Sequence, residues 1–223
     1  MQYRHEVKHE ISYSDLLSLR QRLKAVMKPD VHAVNGSTVI RSLYFDNITD
    51  EALKDKINGV GKREKFRIRY YNDDLSFIRL EKKSKINNLC VKQASVLTYE
   101  EALSVINGDI GFLKNSKDRL CTEFYSKLKS GGLMPKAVVE YRREPYTFPA
   151  SNVRVTIDYD IRTGVKPSEF LNPLSVTIPV PDNPIILEVK WDNFLPDIIK
   201  KAVALKNRRS GAFSKYAASR SYN

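Results

Sequence analysis

Apolar and charged residues alternate between positions 65 and 83, and this alternation predicts a β-hairpin with one apolar face and one charged face. In KFRIRYY, which begins at Lys65, the first, third and fifth residues are cations, and Phe66, Ile68 and Tyr70 lie on the other face. The return strand FIRLEKK, which ends at Lys83, repeats the pattern after a turn at residues 72–74. The apolar face indicates the core side, and the cationic face needs a separate explanation.

The cationic face is either a solvated surface or a site for an anion. Residues two apart on a strand lie roughly 6.6 Å apart, so neighbouring like charges repel by about 2.5 kcal/mol at an effective dielectric of about 20. Water and salt remove most of this cost on an open face, whereas an enclosed face retains it unless an anion binds. The other strands therefore decide between the two interpretations.

Strand-like alternation recurs along the chain and is interrupted by segments of helical periodicity. We predict eight strands, at residues 3–11, 38–46, 65–71, 77–83 and 88–97 and beginning at 136, 153 and 185. We predict helices near residues 14–28, 49–57, 98–108, 118–129 and 196–205. This order favours an α+β fold in a single domain, 1–223, whose eight-stranded antiparallel sheet closes into a barrel and so has no exposed edges.

Charge narrows the class of partner. The 223 residues include 38 Lys and Arg against 26 Asp and Glu, which gives a formal charge of +12. Such an excess favours a polyanionic partner. Nucleic acid, phospholipid and a polyphosphate or nucleotide substrate all satisfy this condition.

Cysteine, histidine and hydropathy patterns exclude several other classes. The two cysteines, Cys90 and Cys121, predict neither a disulfide framework nor a thiolate zinc site, and we expect both to be packing thiols. The three histidines form no HExxH-like pair. The amino terminus has no apolar signal segment and the chain has no run of about 18 apolar residues, so we expect a cytoplasmic protein without a membrane span of its own.

Charged residues occupy most of the predicted strands. The cations are Lys8, Arg67, Arg69, Lys83, Lys92, Arg143, Arg154 and Lys190. The carboxylates are Glu6, Glu81, Glu140 and Glu188. If the strands close around these cations, a chain of phosphates is the simplest occupant that offsets their repulsion. The glutamates would then hold magnesium or manganese on the same phosphates.

These residues lie in ordered blocks that resemble the VTC-type polyphosphate polymerase domain, within the triphosphate tunnel metalloenzymes. The blocks cover nearly the whole chain and read EVK, SLYFDN, KFRIRYY, LEKK, VEYRREPY, VRVTID, LEVK and FSKY. The resemblance implies an eight-stranded tunnel lined by basic residues, which transfers the terminal phosphoryl group of ATP onto a growing polyphosphate chain with Mn²⁺ or Mg²⁺. It implies ATP and inorganic polyphosphate as partners rather than nucleic acid, and it is compatible with a separate membrane partner that removes the polymer.

The resemblance also assigns roles to individual residues. The catalytic phosphate contacts would be Arg67, Arg69, Lys83, Arg143 and Arg154. The further substrate-binding residues would be Lys8, Lys92, Ser214 and Lys215, of which Lys92 is the looser match. Glu188 would hold the metal, and Glu6 and Glu81 are candidates either for the metal or for partnering cations. A lysine partner would also satisfy Glu188, since it lies in an otherwise apolar strand.

Two departures from the family pattern bear on the reaction. Ala212 precedes the FSKY block where the family has a lysine. Hydrolases of the wider superfamily open with ExExK, whereas Arg4 stands here at the first glutamate position, and Lys190 follows Glu188 on the same face instead of an acid. Fewer carboxylates and more cations favour holding a long polyanion over activating water.

Three functions remain open at this point. The favoured one is the polymerase, the second is a tunnel triphosphatase that hydrolyses triphosphate or nucleotide, and the third is a non-catalytic polyanion or nucleic-acid binder. The third lacks the exposed interleaved aromatic residues that single-strand binders use. We expect Tyr44, Tyr70 and Trp191 to pack in the core or at its rim.

Overall fold

The computed structural model describes residues 4–31, 33–86, 89–206, 208 and 210–220. In this part of the chain the strands are β1 (His5–Ile11), β2 (Lys28–Pro29), β3 (Thr38–Asp46), β4 (Lys62–Tyr71), β5 (Asp74–Ile86), β6 (Leu89–Leu97), β7 (Met134–Phe148), β8 (Val153–Gly164), β9 (Thr177–Pro179) and β10 (Ile185–Trp191). The α-helices are α1 (Tyr13–Val26), α2 (Glu51–Ile57), α3 (Tyr99–Asn107), α4 (Gly111–Lys114), α5 (Arg119–Lys129), α6 (Asp197–Ala202) and α7 (Lys215–Ser219).

Hydrogen bonds join the strands in the order β1-β10-β8-β7-β3-β4-β5-β6, with β2 beside β7 and β9 beside β8. The registers that are defined are all antiparallel. The α+β class with a large antiparallel sheet is therefore confirmed. Among the described residues no pairing joins β1 to β6, so the strand order is an open path and closure into a barrel stays a prediction.

The predicted count of eight strands was wrong, because the described part of the chain contains ten. The eight predicted strands form the main path, and the two missed strands, β2 and β9, lie off it. They span two and three residues, which is too short for a period-two pattern to be visible in the sequence. The four-residue helix α4 was missed for the same reason.

The chain divides into two compact units. The first unit contains residues 1–39, 141–161 and 179–214, and the second contains residues 40–140, 162–178 and 215–223. In the first unit, α1 covers the sheet through the buried Leu16, Leu19 and Leu23, which pack with Val155 and Leu187 in one hydrophobic cluster. The helical spacing of these leucines was visible in the sequence and follows from 3.6 residues per turn.

The second unit has its own core between the β4–β5 hairpin and the helices α3 and α5. The predicted apolar face of β4 is fully buried: Phe66, Ile68 and Tyr70 are at most 2% exposed. Phe66 stacks on Phe124 of α5 with ring centroids 5.2 Å apart. The hairpin turn has positive φ at Asn72 (50°), as a tight antiparallel turn requires.

Local signals fixed several helix ends. Thr98 and Glu101 form the predicted capping box of α3, and Gly108 closes that helix at φ 86°.

Cys121 of α5 is buried, as expected of a packing thiol, whereas the side chain of Cys90 lies outside the described residues. Within the described ranges no helix is long and apolar enough to cross a membrane.

Candidate functional site

Two groups of charged residues follow the period-two pattern, one in each unit. We call the group in the second unit the Glu81 cluster and define it as Glu81, Arg67, Arg69 and Lys92. We call the group in the first unit the Glu188 cluster and define it as Glu188, Glu6, Lys8, Lys190 and Arg143. Each is built from side chains that share one face of neighbouring strands.

The Glu81 cluster forms because strand register places a carboxylate among three cations. Glu81 lies opposite Arg67, and both Nε and Nη2 of Arg67 donate to Oε2 of Glu81, at 2.8 and 2.6 Å. Nη1 of Arg69 is 3.8 Å from the same oxygen, and Nζ of Lys92 is 2.6 Å from Oε1. One carboxylate thus contacts three cations, and within these four residues the cations outnumber the carboxylates.

Two members of the Glu81 cluster are buried, whereas the side chain of Lys92 is 51% exposed. Glu81 is 2% exposed and Arg69 is 4% exposed. Burial would raise the pKa of Glu81, but Arg67, Arg69 and Lys92 lower it to about 2. Burial and the charges of Arg67 and Arg69 also lower the pKa of Lys92, although Glu81 opposes this change. The cluster is therefore a fixed concentration of positive charge of the kind that binds phosphate oxygens.

Lys83 continues the same cationic row along β5. In register it stands opposite Lys65 on β4 and opposite Lys92 on β6, so like charges flank it on both neighbouring strands. Like charges directly opposite each other on neighbouring strands repel. The position agrees with the phosphate-binding role that we predicted for Lys83, which remains a prediction.

Two hydroxyl groups of β3 also reach this row, and the sequence analysis missed both. Oη of Tyr44 accepts a hydrogen bond from Nη1 of Arg67 at 3.0 Å, and Oγ of Ser42 accepts one from Nε of Arg69 at 3.0 Å. We had assigned Tyr44 to packing. The signal that could have revealed its position is the alternation within SLYFD, where Ser42 and Tyr44 share a face away from Leu43.

The Glu188 cluster has a different composition. Nζ of Lys8 lies 2.9 Å from Glu6 and 3.2 Å from Glu188, and Nζ of Lys190 lies 3.4 and 2.8 Å from the same two carboxylates. Nη2 of Arg143 is 3.9 Å from Glu188 and donates at 2.8 Å to Asp158. Lys190 and Asp158 were not among our predicted site residues.

Charge is balanced in this group when the adjacent Asp158 is counted with it. With Asp158 included, three cations face three carboxylates. Burial would raise the pKa of Glu188, but Lys190, Lys8 and Arg143 hold it well below its usual range. Burial would lower the pKa of Lys8, but Glu188 and Glu6 raise it above its usual value. Each charge therefore stabilises the ionised form of its neighbours.

The remaining predicted residues lie outside these two clusters. Arg154 pairs with Asp30 at 3.1 Å, and its side chain is 42% exposed. Ser214 immediately precedes α7, and Lys215 is the first residue of that helix. The next residue, Tyr216, is buried, stacks on Tyr44 at 5.1 Å and donates its hydroxyl to Asp46 at 2.8 Å. The FSKY block is thus held to β3 through its tyrosine.

The donor set for a divalent metal is small. No group of three or more His, Cys, Asp or Glu side chains suited to a metal occurs in the described ranges. Glu6 and Glu188 are bridged by the ammonium groups of Lys8 and Lys190, whereas both oxygens of Glu81 face cations. Mg²⁺ often takes only one or two carboxylates and completes its shell with substrate phosphates and water. The Glu6 and Glu188 pair fits that mode. Glu81 contacts cations through both oxygens, and its role as a metal ligand stays a prediction.

Comparisons with known proteins bear on the family and the fold of this chain. The family model described as the VTC domain matches residues 3–222. A solved Bacillus halodurans structure, described as "a putative adenylate cyclase", is 12% identical at a TM-score of 0.53, over 85% of this chain and 80% of that chain. This likeness concerns the fold alone. No curated protein matches the chain.

Two further solved structures are more distant. A Pyrococcus horikoshii protein is 14% identical at a TM-score of 0.48, over 96% of this chain and 97% of that chain. The Mimivirus capping enzyme triphosphatase is 10% identical at a TM-score of 0.39, over 91% and 86%. The family match covers nearly the whole chain, and it confirms the resemblance that the sequence blocks had indicated.

Proposed function

The chain belongs to the VTC domain family, and from that premise we propose that it is a metal-dependent polyphosphate polymerase. The proposal treats residues 1–223 as one functional domain and includes closure of the open strand order into an eight-stranded tunnel. The enzyme would transfer the γ-phosphoryl group of ATP to a growing polyphosphate chain.

One observation carries this proposal: three cations surround the single buried carboxylate Glu81. A group in which three cations share one buried carboxylate favours a polyanionic ligand over a neutral substrate. Arginine guanidinium groups such as Arg67 present paired donors that match phosphate oxygens, whereas Lys92 and Lys83 act as point charges. These residues would therefore fix the phosphates of ATP.

The reaction needs positioning more than covalent chemistry from the protein. A terminal oxygen of polyphosphate would form a bond to the γ-phosphorus as the bond from that phosphorus to the β,γ-bridging oxygen of ATP breaks, and ADP leaves. Arg67 and Arg69 would neutralise negative charge on the transferred group. Lys8, Arg143 and Arg154 would contact phosphates through the first unit, and Ser214 and Lys215 would contribute from the FSKY block.

The metal would be Mn²⁺ or Mg²⁺, held by Glu188 with Glu6. When bound, it would neutralise charge on the phosphate oxygens. For this binding, Lys8 and Lys190 must move their ammonium groups from the carboxylates to phosphate oxygens. This exchange keeps the local charge balanced, because the carboxylates would then contact the metal while the lysines contact phosphate oxygens.

A triphosphatase is the second candidate, and the acidic side of the Glu188 cluster favours it. Glu6, Glu188 and Asp158 are the carboxylates that metal-assisted water attack would need in the first unit. Hydrolysis would use the same triphosphate contacts and differ only in the acceptor. The partner in both cases is a triphosphate compound.

Product analysis separates the two reactions. The full chain is incubated with ATP and Mn²⁺, and the products are resolved on a polyphosphate gel beside an assay for orthophosphate. Long chains with matching ADP release are the expected result. Orthophosphate without chains would replace the polymerase with the triphosphatase, and binding of polyphosphate without turnover would leave a polyanion-binding module.

A further inference from the structure

Arg79 of β5 extends the charged face of the β4–β5 hairpin beyond the Glu81 cluster. It shares a strand face with Glu81 and Lys83, because residues two apart on a strand point to the same side. In register it stands opposite Arg69 on β4 and opposite Val96 on β6. The family resemblance assigned Arg79 no role, so its position on this face needs an explanation of its own.

The guanidinium group of Arg79 keeps its N–H donors unused. The residue is half-buried, and among the described residues no carboxylate lies within ion-pair distance of this group and no acceptor takes a hydrogen bond from it. The group instead lies over the ring of Phe77, with the guanidinium carbon 5.7 Å from the ring centroid. A cation–π contact engages the flat face of a guanidinium, whereas the five N–H donors point outward from its edge. The edge is therefore available to a ligand.

The neighbours of Arg79 on this face supply no negative charge to it. Its cross-strand neighbours are a cation and an aliphatic residue, and Phe77 precedes it on the same face. Glu81 follows it on that face, but both carboxylate oxygens of Glu81 contact other cations. An anion could therefore bind to Arg79 without displacing a carboxylate.

The paired positions of this face lie at successive levels along the hairpin. The three levels are the pairs Lys65–Lys83, Arg67–Glu81 and Arg69–Arg79. Residues two apart on a strand are separated by roughly 6.6 Å, so the outer levels lie roughly 13 Å apart. A linear ligand that carries charge on every unit can contact more than one level, and a chain of phosphates has this property.

We propose that Arg79 is a further phosphate-binding residue, which holds a phosphate group next to those that Arg67 and Arg69 contact. Two N–H groups at the edge of its guanidinium would donate to two oxygens of one phosphate. The contact with Phe77 would fix the plane of the guanidinium for this purpose. The inference rests on the proposed function, because it extends the phosphate site of the Glu81 cluster.

The test measures binding of inorganic tripolyphosphate to the full chain by calorimetry without metal. Arg79→Ala removes hydrogen bonds to a charged ligand, so we expect the dissociation constant to rise about 10-fold or more. Arg79→Lys keeps the charge but loses the paired donors, and it should recover part of this loss. Arg119→Ala removes the same charge at the exposed start of α5 and should bind as the wild type does.

A solvated or purely structural arginine predicts a different result. Since Arg79 has no ion pair to lose among the described residues, Arg79→Ala should unfold in urea at a midpoint close to that of the wild type. Wild-type affinity in Arg79→Ala, together with weak binding by Arg67→Ala, would overturn this inference and leave the proposed function standing. Absence of tripolyphosphate binding to the wild type would overturn both.

Chemical modification gives an independent readout on the wild-type protein. An arginine-selective dicarbonyl reagent is applied with and without saturating tripolyphosphate, and the modified peptides are quantified by mass spectrometry. The ligand should slow modification of Arg79 severalfold and leave that of Arg119 unchanged. Equal rates at Arg79 in both samples would overturn the inference. This measurement requires no variant, so misfolding of Arg79→Ala would still leave a decisive result.

Discussion

The Glu81 and Glu188 clusters are built by the same strand periodicity, yet they differ in charge balance. Glu81 is surrounded by Arg67, Arg69 and Lys92, so cations exceed carboxylates three to one. In the Glu188 cluster the cations are matched by Glu6, Glu188 and the adjacent Asp158. We propose that the first arrangement binds an anion. The second must exchange partners before it can bind a metal or a phosphate.

This difference predicts different effects of substitution in the two clusters. Where cations and carboxylates are balanced, they stabilise each other without a ligand, and removal of one partner leaves a buried charge without compensation. An unbalanced cluster retains repulsion that a ligand relieves, so ligand binding and stability are linked. The following substitutions test the distinction, from the largest expected effect to the smallest.

Replacing Arg67 should have the largest effect on turnover. Arg67→Ala removes the cation that contacts both Glu81 and Tyr44, and we expect kcat/KM for ATP to fall by about 100-fold or more. Steady-state kinetics with ATP and Mn²⁺ measure this loss. Arg119→Ala, at the exposed start of α5, is the matched control and should retain activity. Wild-type kinetics for Arg67→Ala would contradict the assignment of the Glu81 cluster as the phosphate site.

Replacing Glu188 should change the metal requirement rather than phosphate binding. Glu188→Gln keeps the side-chain size and removes the charge, so we expect the Mn²⁺ concentration for half-maximal activity to rise by about 10- to 100-fold. Tripolyphosphate affinity without metal should be retained. Glu10→Gln, an exposed position on β1, serves as the control. An unchanged Mn²⁺ dependence would show that Glu188 serves only as a partner for lysine.

Replacing Glu81 should reduce stability and strengthen polyanion binding. Glu81→Gln leaves three cations without their shared carboxylate, and we expect the free energy of unfolding to fall by about 3 kcal/mol. Tripolyphosphate should restore much of this loss. Urea unfolding with and without tripolyphosphate measures both changes, with Glu169→Gln, whose side chain is 39% exposed, as the control. Equal losses in the presence and absence of the ligand would argue against an excess of positive charge.

Lowering the pH should gradually remove the contribution of Glu81 to the free energy of unfolding. The pKa of this carboxyl is lowered from 4.5 to about 2, so its stabilising contribution is fully present above 4.5 and is lost as pH falls towards 2. The difference in unfolding free energy between wild type and Glu81→Gln should shrink by up to about 1.4 kcal/mol per pH unit in that window. Urea unfolding at several pH values provides the measurement. Parallel curves for the two proteins would contradict the lowered pKa.

Much of the architecture was predictable because its signals are local. The alternation in KFRIRYY predicted both faces of β4, and Thr98 with Glu101 predicted the start of α3. The strands β2 and β9 were missed because two or three residues carry no period of their own. Their pairing is set by neighbours that are distant in sequence.

The candidate site was also predictable only in part. The sequence identified Arg67, Arg69, Glu81 and Glu188 as members of a set of charged residues that recurs on most of the predicted strands. It did not identify Tyr44 as a partner of Arg67, because that contact joins β3 to β4 across 23 residues. It also left open which cation each glutamate would meet.

The sequence by itself therefore determined which side chains share a face of each strand, since that follows from the backbone period of two. Tertiary structure decided the partners. Strand register brought Arg67 and Lys92 to Glu81 and brought Lys8 to Glu188, whereas Lys190 lies two residues from Glu188 on the same strand. The charge balance of each cluster depends on these distant pairings, because electrostatic energy is set by distance in space and by burial, and a linear sequence specifies neither.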